Sequence, residues 1–176
     1  MTSLTGQIGL RLDGDGFVSR GIEFVTQSRA HHVVIAINET HVVSAQPGGA
    51  VIRPMTDYPS LVWSQFDYTL EQSHHMAVLG ASMNRQEYNY LGFALIGFEL
   101  ITKTRVPDGI ARAFSYQDRM FCSQMADFCL RKAGIDLFQS KWGMVSPGDF
   151  LRYFQSVGWM DPDRMVITTN LGAHVG

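Results

Sequence analysis

The sequence predicts an α+β protein in which a small antiparallel sheet packs against helices. The first part of the chain contains short segments rich in β-branched residues, separated by turn residues such as Asn38-Glu39-Thr40. The second half instead carries helical hydrophobic spacing and helix-end residues. Strands followed by helices are typical of the α+β class. At 176 residues the chain can bury a sizeable core, and we predict one domain over residues 1–176.

All of the predicted strands except one lie before residue 73. Two of them form a hairpin across Asn38-Glu39-Thr40, and Pro47-Gly48-Gly49 turns the chain into the next strand. Alternating hydrophobicity predicts a further strand just before a helix. The predicted strands are 7–12, 32–37, 41–45, 50–53, 65–72 and, near the end of the chain, 165–169.

Other segments of the first half are expected to connect these strands. Residues 13–16 are predicted to be a turn, and residues 17–28 have the apolar spacing of an amphipathic helix. Residues 55–64 are predicted to be a loop. Ser73 is the expected N-cap of a helix that ends at about residue 85.

The second half is predicted to be mainly helical. Residues 90–104 are expected to form an apolar, buried helix. Residues 118–133 have apolar side chains at helical spacing and are followed by Gly134, a typical helix terminator. The segment Ser146-Pro147-Gly148-Asp149 combines an N-cap, a proline at the first helical position and an acidic residue two positions later. It predicts a helix that ends at about residue 157.

Composition and charge exclude several classes of function. A net charge of −2 with dispersed basic residues gives no electrostatic basis for binding nucleic acid. The N-terminus lacks the basic and apolar regions of a signal peptide, so we expect synthesis in the cytoplasm. The longest apolar stretch, 91–101, is too short to span a bilayer, so no integral membrane segment is expected. A hydrophobic surface for docking or for lipid is the alternative interpretation of this stretch.

No metal, cofactor or disulfide is predicted. Cys122 and Cys129 are seven positions apart on one predicted helix, about 10 Å along its axis, which is too far for a disulfide. His74 and His75 project in different directions from a helix, and no cluster has the spacing of metal ligands. Cys129 is therefore expected in the core and the paired histidines at the surface.

Cys122 is the strongest candidate for chemistry. It stands where a helix is predicted to begin, and the unpaired amides and dipole of a helix start lower the pKa of a thiol. His32 opens a predicted strand ninety positions earlier, and a histidine on a rigid strand can serve as the base for such a thiol. His31 points to the other face of a regular strand. His32 is therefore the predicted base.

Four segments occur in order over most of residues 29–151. They are Arg29-Ala30-His31-His32-Val33-Val34-Ile35, Val42-Val43-Ser44-Ala45-Gln46-Pro47-Gly48-Gly49, Glu87-Tyr88-Asn89-Tyr90-Leu91-Gly92, and Phe121-Cys122-Ser123-Gln124-Met125 followed by Ser146-Pro147-Gly148-Asp149. No single motif is specific, but the order and spacing are shared with one family. Together the segments resemble the permuted NlpC-type, papain-like cysteine hydrolases of the YiiX-like group.

The resemblance implies a circularly permuted papain-like fold and an enzyme without a cofactor. Members of this broad group act on amide, ester or thioester bonds, and many cut peptide bonds in the bacterial cell wall. The resemblance therefore predicts a cysteine peptidase or amidase, with Cys122 as nucleophile and His32 as base. Its expected substrate is a peptide or amide of peptidoglycan, or another acyl compound. Protein partners in a phage tail or similar assembly, and hence a virion-associated location, follow from the same analogy.

The residue that orients the base is where this chain departs from the family. The family usually has a glutamate on the second strand, and that position falls on Ser44, which is short and uncharged. Gln46 lies on the same strand face, and the hairpin would place it opposite His32. Its amide oxygen could then accept a hydrogen bond from the imidazole. Gln46 is preferred over Ser44, and the missing acid leaves a weakened or lost activity as an alternative.

Two other functions remain open at this point. One is a lipid acyltransferase or thioesterase, since the chain also resembles the lecithin:retinol acyltransferase group in placing His before Cys. Exposure of the apolar stretch 91–101 near the cleft would favour this function. The other is a catalytically inactive structural or docking module in a virion or protein complex, for which Ser44 is the main indication.

Overall fold

The computed structural model describes residues 3–12, 29–58, 60–107, 109–110, 120–139 and 144–159. The strands in these residues are β1 Ile8–Leu12, β2 Ala30–Ala36, β3 His41–Gln46, β4 Gly49–Pro54 and β5 Leu61–Trp63. The helices are α1 Leu70–Ser82, α2 Tyr90–Thr102, α3 Cys122–Lys132 and α4 Pro147–Ser156. The predicted turn 13–16, helix 17–28 and strand 165–169 lie outside the described residues.

The five strands of the described residues form one antiparallel sheet in the order β4-β3-β2-β1-β5. Successive side chains of a strand point to opposite faces, and β2 follows this rule. Val33 and Ile35 lie in the main core, which the sheet shares with the helices. The other face is covered by the chain that follows β4, in a second cluster: Val34, Ala36, Val42, Met55, Tyr58, Leu61 and Trp63. The predicted α+β class, an antiparallel sheet packed against helices, is confirmed.

The chain between β4 and α1 differs from the sequence prediction. Residues 55–64, expected to be a loop, contain a short 3-10 turn at Met55–Asp57 and the edge strand β5. Three apolar residues in a row, flanked by Ser60 and Ser64, give no alternation by which a strand could be recognised. β5 forms because it pairs with β1, with Val62 opposite Leu10. This pairing is a long-range contact that local sequence does not contain.

The strand predicted at 65–72 is wrong. The buried side chain of Gln7 donates to the carbonyl oxygen of Phe66 (2.8 Å) and accepts from the Phe66 amide (3.1 Å). A side chain thus satisfies backbone groups that a strand would pair with another strand. Helix α1 then begins at Leu70 rather than after Ser73, because Thr69 and Gln72 form a reciprocal capping box.

The helices of the second half agree more closely with the sequence. Helix α4 begins at Pro147, and Ser146 and Asp149 form the predicted capping box, with the Asp149 carboxylate accepting from the Ser146 amide at 2.8 Å. Helix α2 is formed as predicted, but the expected burial is incomplete, because Phe98 is 52% and Ile101 64% exposed. In the described part of the chain, no helix combines the length and the apolar character needed to cross a membrane.

Candidate active site

Cys122 is the first residue of α3, as expected for the thiol, although the helical spacing predicted a helix from residue 118 and residues 120–121 are not helical. Phe121 before it has an extended backbone, with φ −101° and ψ 169°, and provides no side-chain cap. One residue earlier, the Met120 amide donates to the carbonyl of Glu87 (3.0 Å), and the Met120 carbonyl accepts from the Asn89 amide (3.3 Å). These two bonds anchor the chain just ahead of the helix. They fix where α3 starts, and so where the thiol is held.

The backbone of β2 determines what the thiol meets. Ala36 exchanges hydrogen bonds with the chain leading into β1, donating to the Gln7 carbonyl at 2.9 Å and accepting from the Gly6 amide at 2.8 Å. Backbone groups alternate in direction along a strand, so the amide of Val33 points away from β1 and towards β3. Pairing between β2 and β3 consists of Ile35–Val43 and Ala36–Val42 and does not extend to Val33.

The Val33 amide therefore has no partner on β3, and the sulfur of Cys122 takes that place. It accepts a hydrogen bond from the backbone amide of Val33. That amide belongs to the peptide bond between His32 and Val33, so α3 and β2 bring the thiol next to the backbone of the predicted base. Residues ninety positions apart in the chain thus meet at one peptide unit.

Burial raises the pKa of the Cys122 thiol to about 11, although the amides of Val33, Ser123 and Cys122 itself donate to the sulfur and act in the opposite direction. The side chain is only 6% exposed. The Ser123 hydroxyl also acts to lower the pKa of Cys122, but its single proton is already donated to the carbonyl of Val145 at 2.7 Å, which limits this contribution. The lowered pKa expected from the helix start is therefore wrong, because loss of water outweighs the nearby amides.

His32 projects to the face of the sheet opposite the helices. Its ring lies parallel to that of Tyr58, with ring centroids 5.9 Å apart and an angle of 10° between the planes. Burial lowers the pKa of His32 to about 4, and the charges of His31 and Arg11 lower it further. The imidazole is therefore neutral at neutral pH. Cys122 lies in the core on the helix side of the sheet, so the imidazole and the thiol project to opposite faces of β2, and among the described residues no hydrogen bond joins them.

Ser44, one candidate for orienting the base, is fully buried on β3. Its hydroxyl lies 3.1 Å from the Tyr58 hydroxyl, and Tyr58 in turn stacks on His32. Ser44 therefore contacts the residue that packs against the imidazole and not the imidazole itself. The direct contact expected between Ser44 and the imidazole is thus absent, and Tyr58 lies between the two side chains.

Gln46, the preferred candidate, ends β3 and pairs with Gly49 of β4. Continuing the register of Ile35–Val43 and Ala36–Val42 would bring Gln46 opposite His32, but the pairing stops before that point. No hydrogen bond of the Gln46 side chain is formed within the described part of the chain. Ser44 therefore reaches His32 through its contact with Tyr58. Gln46 would lie opposite His32 only if the β2–β3 pairing continued, and it does not.

Three contributions to the site were not foreseen. Tyr58 lies in a segment predicted to be loop, which offers no local signal. Arg11 is the cross-strand partner of His32 in β1, a pairing that a hydrophobic pattern does not specify. The buried amide of Asn89 donates to the Gln124 side chain at 3.2 Å, and the two residues come from two of the segments that carry the family resemblance.

The described residues contain no group of three His, Cys, Asp or Glu side chains that could hold a metal ion. Cys122 and Cys129 are both free thiols. Cys129 is fully buried, as expected of a core residue, and burial raises its pKa to about 12.

The chain matches no model of a known protein family, and no curated protein matches its sequence. Membership of the papain-like cysteine hydrolases therefore stays a prediction based on the four segments.

Proposed function

We propose that the protein is a cysteine hydrolase with a permuted papain-like fold of the NlpC type, in which Cys122 is the nucleophile and His32 the base. The observation that carries the proposal is the hydrogen bond from the Val33 amide to the Cys122 sulfur, next to His32. Nucleophilic cysteine catalysis requires a thiol and an imidazole that can meet; here the thiol meets the backbone next to His32, while the ring stacks on Tyr58 on the other face of β2. The contact between Asn89 and Gln124 adds support, because it joins two of the segments that resemble the family.

In the resting state of this enzyme the thiol is protonated and the imidazole is neutral. With pKa values of about 11 for Cys122 and about 4 for His32, transfer of the proton costs on the order of 10 kcal/mol. A resting thiolate–imidazolium pair is therefore not populated. The proposal therefore requires that substrate binding takes the His32 ring off its stack on Tyr58 and brings it to the Cys122 sulfur, so that the proton can move.

The reaction then follows the course of acyl transfer to cysteine. The Cys122 sulfur attacks the acyl carbon while its proton passes to His32, and the imidazolium returns that proton to the leaving amine. The Cys122 amide, at the N-terminus of α3, is the proposed donor to the oxyanion. Water, deprotonated by His32, hydrolyses the acyl-enzyme and regenerates the thiol. Ser44 acts through Tyr58 as a positioning residue for the imidazole.

The proposed substrate is a peptide or amide bond of bacterial peptidoglycan. This choice, like a place in a phage tail or similar assembly, rests on the resemblance to cell-wall hydrolases and not on a contact in the site. Synthesis in the cytoplasm and association with a virion belong to the same proposal.

Purified sacculi provide the test. The wild-type protein is expected to release muropeptides, the Cys122→Ala variant to release none above the blank, and the matched Cys129→Ala variant to retain the wild-type rate. Cys129 is the appropriate control because it lies on the same helix and is also buried. Equal release by wild type and Cys122→Ala would overturn the proposal.

A second candidate is a lipid acyltransferase or thioesterase with the same nucleophile and base. It is favoured by the exposure of Phe98 and Ile101, which lie three positions apart on one side of α2. The residue just before α2, Asn89, contacts α3 through Gln124, so the apolar helix begins beside the helix of the thiol. Hydrolysis of long-chain thioesters that requires Cys122, with no action on sacculi, would select this function. Inactivity on both substrates would favour the third function, a catalytically inactive docking module.

A further inference from the structure

The first turn of α3 is attached to Asn89, the residue just before α2. Cys122 lies midway between the two attachment points, two residues after Met120 and two before Gln124. The Met120 carbonyl accepts from the backbone amide of Asn89 at 3.3 Å, and the Gln124 side chain accepts from the side-chain amide of Asn89 at 3.2 Å. Asn89 therefore holds the chain on both sides of the thiol.

The hydrogen bond between Asn89 and Gln124 is shielded from water. Asn89 is 6% exposed and Gln124 is fully buried. Breaking a bond between two buried side chains leaves polar groups that water cannot reach, so the bond resists displacement of the helix. Tyr88, next to Asn89, is itself part of the main core. The residues to which α3 is attached are thus fixed in place.

The position of α3 decides whether the thiol meets β2. The Cys122 sulfur accepts a hydrogen bond from the Val33 amide, and a hydrogen bond weakens steeply as its angle departs from linear. Cys122 and Gln124 belong to the same turn of helix. A rotation of that turn would move the sulfur off the Val33 amide, and the bond between Gln124 and Asn89 opposes the rotation.

We infer that Asn89 and Gln124 are positioning residues, which hold the first turn of α3 so that the Cys122 sulfur stays at the Val33 amide. The inference rests on the proposed function and adds two residues to it. Both act through the helix and not by contact with the substrate. A displacement of about 1 Å in a reacting group can slow catalysis roughly 100-fold, so a buried pair that fixes this turn has a direct effect on the rate.

The test follows the Val33 amide signal by NMR in isotope-labelled protein. Cys122→Ala removes the sulfur and gives the reference position of the signal without its acceptor. Gln124→Met has nearly the same size but no amide oxygen. It is expected to move the Val33 signal towards the reference position and to slow the release of muropeptides from sacculi about 100-fold.

Two further variants of Gln124 complete the series. Gln124→Glu keeps an oxygen that accepts from Asn89, and a carboxylate in the first turn of a helix is favourable. It should therefore keep the Val33 signal at its wild-type position. Gln124→Asn is one carbon shorter and withdraws the oxygen from Asn89. It takes the place of Gln124→Met if that protein does not fold, with the same expected shift.

Gln72→Met is the matched control. Gln72 donates from its side-chain amide to the Ala133 carbonyl, at the other end of α3, at 3.4 Å, and the change also breaks the capping box of α1. It should lower the free energy of unfolding but leave the Val33 signal and the rate of release unchanged.

An unshifted Val33 signal in Gln124→Met, or an equal shift in Gln72→Met, would overturn the inference. Release by Gln124→Met at the rate of an active wild type would overturn it as well, while leaving the hydrolase. Because the NMR readout does not use hydrolysis, it separates the two proposals. The expected shift in a protein inactive on sacculi would leave the hold on the thiol standing and remove the hydrolase.

Discussion

Iodoacetamide is expected to alkylate Cys122 about 300-fold more slowly at neutral pH than it alkylates a free cysteine. The thiolate is the reactive form, and burial raises the pKa of this thiol to about 11. The thiolate fraction at neutral pH is then roughly 1 in 10,000, against about 1 in 30 for a free thiol with its pKa near 8.5. The rate should rise about tenfold for each unit of pH up to about pH 10.

The measurement is the increase in intact mass of the Cys129→Ala protein, in which Cys122 is the remaining thiol. The Cys122→Ala protein serves as control and should react more slowly still, because Cys129 is fully buried and burial raises its pKa to about 12. Alkylation of Cys122 at neutral pH as fast as a free thiol would contradict the prediction. It would mean that the start of α3 and its amides prevail over burial, as the sequence alone suggests.

Acidification is expected to lower the free energy of unfolding by up to about 3 kcal/mol through His32 alone. Burial lowers the pKa of His32 from 6.5 to about 4 in the folded protein. Below pH 6.5 the unfolded chain binds a proton at this residue that the folded protein does not bind. Stability is therefore full above pH 6.5 and is lost as the pH falls towards about 4, after which this residue adds no further change.

Urea unfolding of wild type and His32→Gln over this pH range measures the effect. The variant should lose less stability on acidification, and the difference between the two curves isolates His32 from the carboxylates that titrate nearby. His75→Gln, which changes an exposed histidine on α1, should follow the wild-type curve. Parallel curves for wild type and His32→Gln would show that the folded protein accepts a proton at His32 as readily as the unfolded chain.

Local signals in the sequence were sufficient wherever structure is set within one turn. The Ser146–Asp149 capping box was predicted, because helix ends depend on residues three or four positions apart. Cys122 was expected at a helix start, although the helical spacing placed that start at residue 118. The hairpin of β2 and β3 was also predicted, because its turn, Asn38-Glu39-Thr40, is a local signal as well. These elements bring the thiol and the strand of the predicted base together.

Contacts between remote segments account for what the sequence did not reveal. Strand β5 forms because β1 pairs with it. The strand expected at 65–72 does not form, and the Gln7 side chain instead bonds to the backbone of Phe66. The pKa of Cys122 was predicted in the wrong direction because burial depends on the whole fold, whereas the amides at a helix start are local. Tyr58 and Arg11 reach His32 across the sheet, where no spacing rule applies.

The convergence of Cys122 and His32 on one substrate is the central claim, and a short bifunctional alkylating reagent tests it most directly. Treatment of the Cys129→Ala protein with 1,3-dibromoacetone at about pH 9.5, where more of the thiol is ionised, is followed by digestion and sequencing of the linked peptides. The proposal requires the imidazole to leave Tyr58 and reach the sulfur, so we predict a bridge from the Cys122 sulfur to the imidazole of His32, absent in His32→Gln. A bridge to His31 or to any other residue, or a reagent attached at Cys122 alone, would contradict it.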